Sequence, residues 1–380
     1  MTHQDLNDDQ QMLADSARRF IERGYGEDRR AASLAHADGV EPGVWRDFAE
    51  LGWLALPLPE DQGGLGGSCL DLCVLAEALG HGAVNEPFIA CAVLAAGLLA
   101  SAADEAARQH WLPALADGSR RVACAHEGRF EARAVEGGFR LNGHCELVLG
   151  GAGADAFLVP AALGDQLALF IVEAGTPGLA LLRHALYDGQ RATSLRLADA
   201  PLAAFAWRGD EAAWRVRLER ALGRAIVVHG AETVGSMQRA EEITIEYLRT
   251  RRQFGRAIAD NQVVQHRLVD LRVEIEEARA LCRAAARVLD DDAADPAARA
   301  RHVAAAKACV ARAARLAWKE SVQLHGAIGM TEEYAVGRLV KRLAAACTLY
   351  GSEHAHLERL GELAFGPLPE PARSNPAELR

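Results

Sequence analysis

Positive charge is in short supply in this chain: 42 Lys and Arg stand against 52 Asp and Glu, for a formal net charge of −10. Binding to a phosphate backbone depends on a basic surface, so nucleic acid is excluded as the main partner. A local basic pocket for a phosphorylated small molecule is still compatible with that average. Cysteine pairs at metal or redox spacing are also missing, although the chain holds eight cysteines. Cys69 and Cys73 are four apart within a helical pattern, where both can simply pack inward. Cys124, Cys282, Cys309 and Cys347 lie in apolar surroundings typical of buried free thiols. No segment resembling a signal peptide opens the sequence, so reduced thiols in a cytoplasmic protein are the expectation. The apolar run from Ile89 to Ala103 is too short and too rich in alanine to span a bilayer, and no membrane insertion is expected. Internal repeats and low-complexity tracts do not occur.

What is present is ordinary globular composition, half hydrophobic and one quarter charged. A chain of 380 residues is too long for one compact core and suggests two or three domains. Residues 5–23 place Leu6, Met12, Leu13, Ala17, Phe20 and Ile21 at helical spacing, and further helical stretches are read near 42–51, 69–80, 87–101 and 104–116. From about Arg120 to Trp207 short apolar runs alternate with Gly, Asp and Asn turns, as in antiparallel strands. Long helices return over roughly 210–250, 260–290, 296–325 and 331–364, with Pro296 at a plausible first helical turn. The expected organisation is mostly α with a middle β domain. It comprises an N-terminal α-helical domain over 1–119, a β domain over 120–208, a C-terminal four-helix bundle over 209–366 and a flexible tail over 367–380. That tail carries Pro367, Pro369, Pro371 and Pro376.

Two motifs carry the chemistry. One is Gln-Leu-His-Gly-Ala-Ile-Gly-Met-Thr-Glu-Glu from Gln323 to Glu333, and the other is Arg-Arg-Gln-Phe-Gly from Arg251 to Gly255. Glycines at 326 and 329 weaken a helix for no structural gain, unless a cofactor or another backbone must come close. A helix C-cap explains one such glycine equally well. A third stretch, Pro59 to Gly67, holds four glycines before a helix bearing Glu77 and Gly80. As a phosphate loop it lacks the preceding strand that a dinucleotide fold needs, and a plain loop between helices accounts for it.

Together these segments resemble the acyl-CoA dehydrogenase family over nearly the whole chain. The resemblance implies an N-terminal α domain, an antiparallel β-barrel or sandwich and a C-terminal four-helix bundle. It implies FAD as cofactor, α,β-dehydrogenation of an acyl-CoA thioester, a place in fatty acid metabolism and a flavoprotein as electron acceptor. Carried over residue by residue, the flavin site would involve Arg251, Arg252, Gln253, Phe254 and Gln262 of one subunit's bundle. Gln323, His325, Gly326 and Ala327 would face the diphosphate or adenosine of a neighbouring subunit's flavin. A guanidinium can donate to diphosphate oxygens in bidentate fashion, and a glycine turn lets backbone N–H groups reach the same oxygens. A homodimer, a homotetramer or a hetero-oligomer is therefore expected, formed through the bundle.

Departures from the family's pattern fall at the reacting centre. Where the family shows Thr-Glu-Pro and then Gly-Ser-Asp, this chain has Ala125-His126-Glu127-Gly128-Arg129-Phe130, and Glu127 is the one clear match. The Trp and Thr beside the flavin ring are replaced by Leu147 and Leu149, which removes hydrogen bonds that tune the ring. The two positions at which members place the catalytic glutamate align with Ala225 and with Tyr350 or Gly351. Neither can take a proton from carbon at neutral pH. Glu353 is the nearest carboxylate and a weak candidate, since a solvated acid at a helix start explains it better. The pattern through Val336-Gly337, Lys341-Arg342-Leu343 and Leu349-Tyr350-Gly351 is most similar to the small subunits of pimeloyl-CoA-type dehydrogenases, whose large subunit completes a mixed oligomer. Two readings stay open: an FAD-dependent acyl-CoA dehydrogenase acting alone or as one half of a mixed assembly, or a non-catalytic flavin-binding or structural subunit. A flavin monooxygenase or nitroalkane-oxidase-like activity on the same fold is a third and weaker alternative.

Overall fold

The computed structural model describes residues 6–331 and 334–366. Glu332 and Glu333 of the C-terminal motif and the tail expected over 367–380 lie outside the described residues. The N-terminal region is built from α1 (Asp8–Gly24), α2 (Glu27–Ala35), α3 (Pro42–Glu50) and α4 (Cys69–His81). A π-helical segment, Ile89–Ala96, then runs directly into α5 (Gly97–Ala102), followed by α6 (Glu105–Ala116). Local signals start these helices. Asn7 and Gln10 close a capping box at α1, and Ser68 and Asp71 close another at α4. Phe20, Phe48, Trp53 and Phe88 pack edge to face in the core beneath them.

Eight strands follow in one sheet: β1 (Val122–Cys124), β2 (Arg129–Val135), β3 (Gly138–Leu149), β4 (Ala156–Leu163), β5 (Gln166–Glu173), β6 (Leu179–Ala185), β7 (Arg191–Leu202) and β8 (Trp207–Gly209). The order is β6-β7-β3-β2-β4-β5-β8, with β1 on β4. Most pairings are antiparallel, as the turn-separated runs suggest. The pairings of β1 and β2 with β4 are parallel, a long-range choice that no local pattern announces. Phe130, Leu141, Phe157 and Phe170 fill a core of their own.

The C-terminal region has three long helices, α7 (Glu211–Thr250), α8 (Gln262–Asp290) and α9 (Pro296–His325), with Pro296 in the first turn of α9. The single helix expected over 331–364 is two helices, α10 (Ala335–Ala346) and α11 (Glu353–Phe365). Tyr350 and Gly351 break the chain there with φ of 58° and 101°, and Ser352 restarts it as an N-cap to Ala355. Helical periodicity continued across that break, and the Gly-Ser stop and start signal outweighed it.

The bundle and the N-terminal helices are tightly joined. At Gly80 an added Cβ would lie 1.8 Å from the Glu232 carbonyl, and at Gly235 one would lie 1.9 Å from the Glu77 carbonyl. The two glycines thus let α4 and α7 cross with their backbones in contact. Asp290, at the end of α8, accepts from the Cys69 amide at 2.7 Å and so caps α4 from across the interface. All eight cysteines are free thiols, seven of them buried. Among the described residues no helix is long and apolar enough to cross a membrane.

Candidate functional site

The two sequence motifs meet at one end of the bundle. Helix α7 stops at Arg251, and the chain turns back through a short hairpin, β9 (Arg252–Gln253) paired with β10 (Arg256–Ala257). Phe254 sits at the hairpin tip with φ of 53° and is 100 % exposed. An apolar ring in water, on backbone that ordinarily favours glycine, is a double cost with no return inside this chain. Arg251, Arg252, Gln253 and Gln262 are exposed beside it. Within the described structure the Arg252 guanidinium finds the Gly255 carbonyl at 3.4 Å, a long contact.

Tyr247, in the last turn of α7, ties this hairpin to the end of α9. Its hydroxyl donates to the His325 carbonyl at 3.4 Å, and its ring stacks on the His325 imidazole at 4.6 Å. Gln323, Gly326 and Ala327 are exposed. The His325 side chain turns inward between Tyr247 and Tyr334, with Nδ1 on the Ser321 carbonyl at 2.8 Å and burial lowering its pKa. His325 can therefore serve this surface through its backbone, while its ring packs the turn. Gly326 caps α9 with φ of 68°, and nothing lies within 4 Å of where a Cβ would stand. The glycine is needed for its conformation, and the open space beside it leaves the backbone approachable.

A second group lies on the inner face of α7. Ala225 is fully buried, and His229 and Glu232 follow it one and two turns along the same face. The His229 ring meets the Tyr350 ring edge to face at 5.3 Å. Burial, with help from the Lys307 and Arg342 cations, holds the His229 pKa well below its usual value, so the imidazole is neutral. Its Nδ1 has no hydrogen-bond partner among the described residues. Glu232 pairs with Arg342 at 2.7 Å, and burial still pushes its carboxyl pKa up. Burial also raises the Tyr350 phenol. His229 and Glu232 were missed by motif reading, yet their spacing of four and seven from Ala225 was a visible signal.

Glu353 belongs to neither group. It opens α11 and is salt-bridged to Arg315 of α9. On the sheet, Glu127 is 69 % exposed in the turn after β1, whereas the neighbouring His126 is largely enclosed with an unpartnered Nδ1. Leu147 and Leu149 present only hydrocarbon at the end of β3.

Two family models match the chain, the acyl-CoA dehydrogenase N-terminal domain over residues 7–119 and the acyl-CoA dehydrogenase C-terminal domain over residues 214–364. The acyl-CoA dehydrogenase FadE27 of Mycobacterium tuberculosis (strain ATCC 25618 / H37Rv) is 34 % identical over 338 residues, covering 85 % of this chain and 88 % of the relative. The chain belongs to the acyl-CoA dehydrogenase family. It is in a family of oxidoreductases, and its mostly helical fold with a central sheet domain is the family's own. Among solved structures, a chain of the ChsE4-ChsE5 complex from Mycobacterium tuberculosis superposes with a TM-score of 0.86 at 28 % identity, covering 96 % of this chain and 99 % of that one. A glutaryl-CoA dehydrogenase from Mycobacterium smegmatis in complex with FADH2 shares the fold, with a TM-score of 0.87 at 21 % identity over 97 % of this chain and 98 % of that one.

Proposed function

We propose that this chain is one half of an FAD-dependent acyl-CoA dehydrogenase, supplying flavin-binding groups to a partner subunit and leaving proton abstraction to that partner. One observation carries the reading. The hairpin-and-turn end of the bundle is exposed, cationic and strained, whereas the face where the family keeps its base holds Ala225 and Tyr350 in core packing. The residues fit FAD on the first surface. Arg251, Arg252 and Gln253 would donate to the diphosphate, the backbone of Gly326 and Ala327 would approach the same oxygens, and Gln262 and Gln323 would bond the polar rim. Phe254 would bury its ring against the neighbour. They fit poorly beside the sheet, where Leu147 and Leu149 offer no donor to the flavin ring, although His126 Nδ1 is unpartnered among the described residues. When bound, FAD accepts the hydride that leaves the β-carbon of an acyl-CoA.

The partner we favour is a large acyl-CoA dehydrogenase subunit, in keeping with the two-component ChsE4-ChsE5 neighbour. Val263, Val269 and Val273 are exposed apolar residues of α8, and Ile328 and Met330 add exposed apolar surface near the glycine turn. Such a surface suits contact through the bundle with a second subunit. The pattern through Lys341-Arg342-Leu343 and Leu349-Tyr350-Gly351 supports a finer place beside the small subunits of pimeloyl-CoA-type dehydrogenases. A flavoprotein electron acceptor and a cytoplasmic setting complete the proposal. Anaerobic flavin bleaching by acyl-CoA, with the chain alone and mixed with a candidate large subunit, tests it. Reduction should be slower by about 10²-fold or more for the chain alone, the usual contribution of a general base. Equal rates in the two samples would overturn the reading.

A further inference from the structure

A cavity of about 690 Å³ opens between the N-terminal helices and the bundle, and no residue of the hairpin, the glycine turn or the Ala225 face lines it. Its size lies within the usual range for small-molecule sites. Ile21 of α1, Val74 and Ala78 of α4, Ile243 of α7 and Leu339 of α10 give it an apolar floor. Five arginines line it, against three glutamates. Four of the arginines are already engaged. Arg338 pairs with Glu27, Arg30 donates to the Ala83 carbonyl, Arg18 reaches Asp15 at 3.0 Å and Arg239 reaches Glu242 at 3.5 Å. Of the acids, Glu77 is satisfied by the buried Arg279 at 2.8 Å, and Glu22 is exposed at the rim.

Arg283 of α8 is the exception. It is half-buried, it lines the cavity, and no hydrogen bond or ion pair holds its guanidinium among the described residues. Water still reaches that guanidinium, and an anion beside it would gain a charge-assisted hydrogen bond that no group of the chain supplies among the described residues. The apolar floor asks for a hydrocarbon body on that anion.

We propose that this cavity binds an amphipathic monocarboxylate, with its head on Arg283 and its aliphatic chain along Ile21, Val74, Ala78, Ile243 and Leu339. The site is separate from the flavin-facing surface and does not depend on the function proposed above.

Calorimetric titration of the full-length chain with decanoate, and with decanol as its uncharged counterpart, tests the site. Saturable binding of one decanoate per chain is expected, with decanol at least about tenfold weaker. Arg283→Gln should weaken decanoate by about ten- to hundredfold, the usual loss for a hydrogen bond to a charged group. Arg283→Lys, which keeps the charge and loses the fork, should fall in between. Ala78→Phe should block the floor and abolish binding, with flavin content unchanged in all three variants. No saturable decanoate binding, equal affinity for decanol, or affinity unmoved by Arg283→Gln would each overturn the proposal. Arg283 lies outside the core, so its two variants decide the matter even if Ala78→Phe fails to fold.

Discussion

The C-terminal end and the middle of α7 differ in almost every physical respect. At its C-terminus, Arg251 to Gly255 project from the bundle with Phe254 wholly in water and two successive residues at positive φ. Near its middle, Ala225, His229 and Glu232 face inward beneath Tyr350 and Arg342. The first surface accepts costs that only a second molecule can recover. The second resolves its costs internally, by neutralising His229 and pairing Glu232. A helix that carries both teaches that one element can present a strained, solvent-facing surface and an enclosed, charge-paired one within a few turns of each other.

The comparison breaks most easily at Ala225. A carboxylate introduced there by Ala225→Glu enters a site with no exposure, and should destabilise the fold by about 4 kcal/mol or more in chemical denaturation. A variant that folds normally and reduces flavin with acyl-CoA would show that the face is an open site after all.

Lys307 gauges how dry that face is. It is 1 % exposed and donates to the Ala346 carbonyl at 2.8 Å, yet burial lowers its pKa from 10.5 to about 8. Between those values the unfolded chain keeps a proton that the folded chain has released. Stability should therefore rise with pH from about 8 to 10.5, and the full cost of the buried charge should be present below about 8. Lys307→Met should flatten that rise, worth about 3 kcal/mol from end to end, in denaturation curves taken across the window.

At the exposed end the expected effect is smaller and falls on the cofactor. Arg251→Ala should cost about 2 kcal/mol of FAD binding, or roughly a thirtyfold weaker site, measured by flavin retained after dialysis of the assembled protein. Undiminished retention would remove Arg251 from the site. The smallest effect is expected from Glu353→Gln. Its carboxylate is committed to Arg315 in a partly exposed pair, so the change should cost less than about 1 kcal/mol of stability and leave flavin bleaching unaltered. Loss of bleaching in that variant would instead make Glu353 the base.

Much of this was legible in the sequence where the signal is local. The helix over 69–80 and the start of α9 at Pro296 are written in neighbouring residues. The break between α10 and α11 was written there too, in Gly351-Ser352, but continuing apolar periodicity masked it. His325 shows the limit of motif reading. The motif marks it as important without saying that its ring packs inward between two tyrosines while its backbone faces out.

The sequence by itself determined the acidic balance and the broad order of helices, then strands, then long helices. Those properties depend on side-chain chemistry and on spacing along a few turns. Only the tertiary structure decided which residues share a surface. The parallel pairing of β1 and β2 with β4, the α4–α7 crossing at Gly80 and Gly235 and the lone Arg283 in its cavity each join segments far apart in the chain. Burial and partner choice are set by such long-range packing, and it is burial that leaves His229 neutral while Phe254 stays in water.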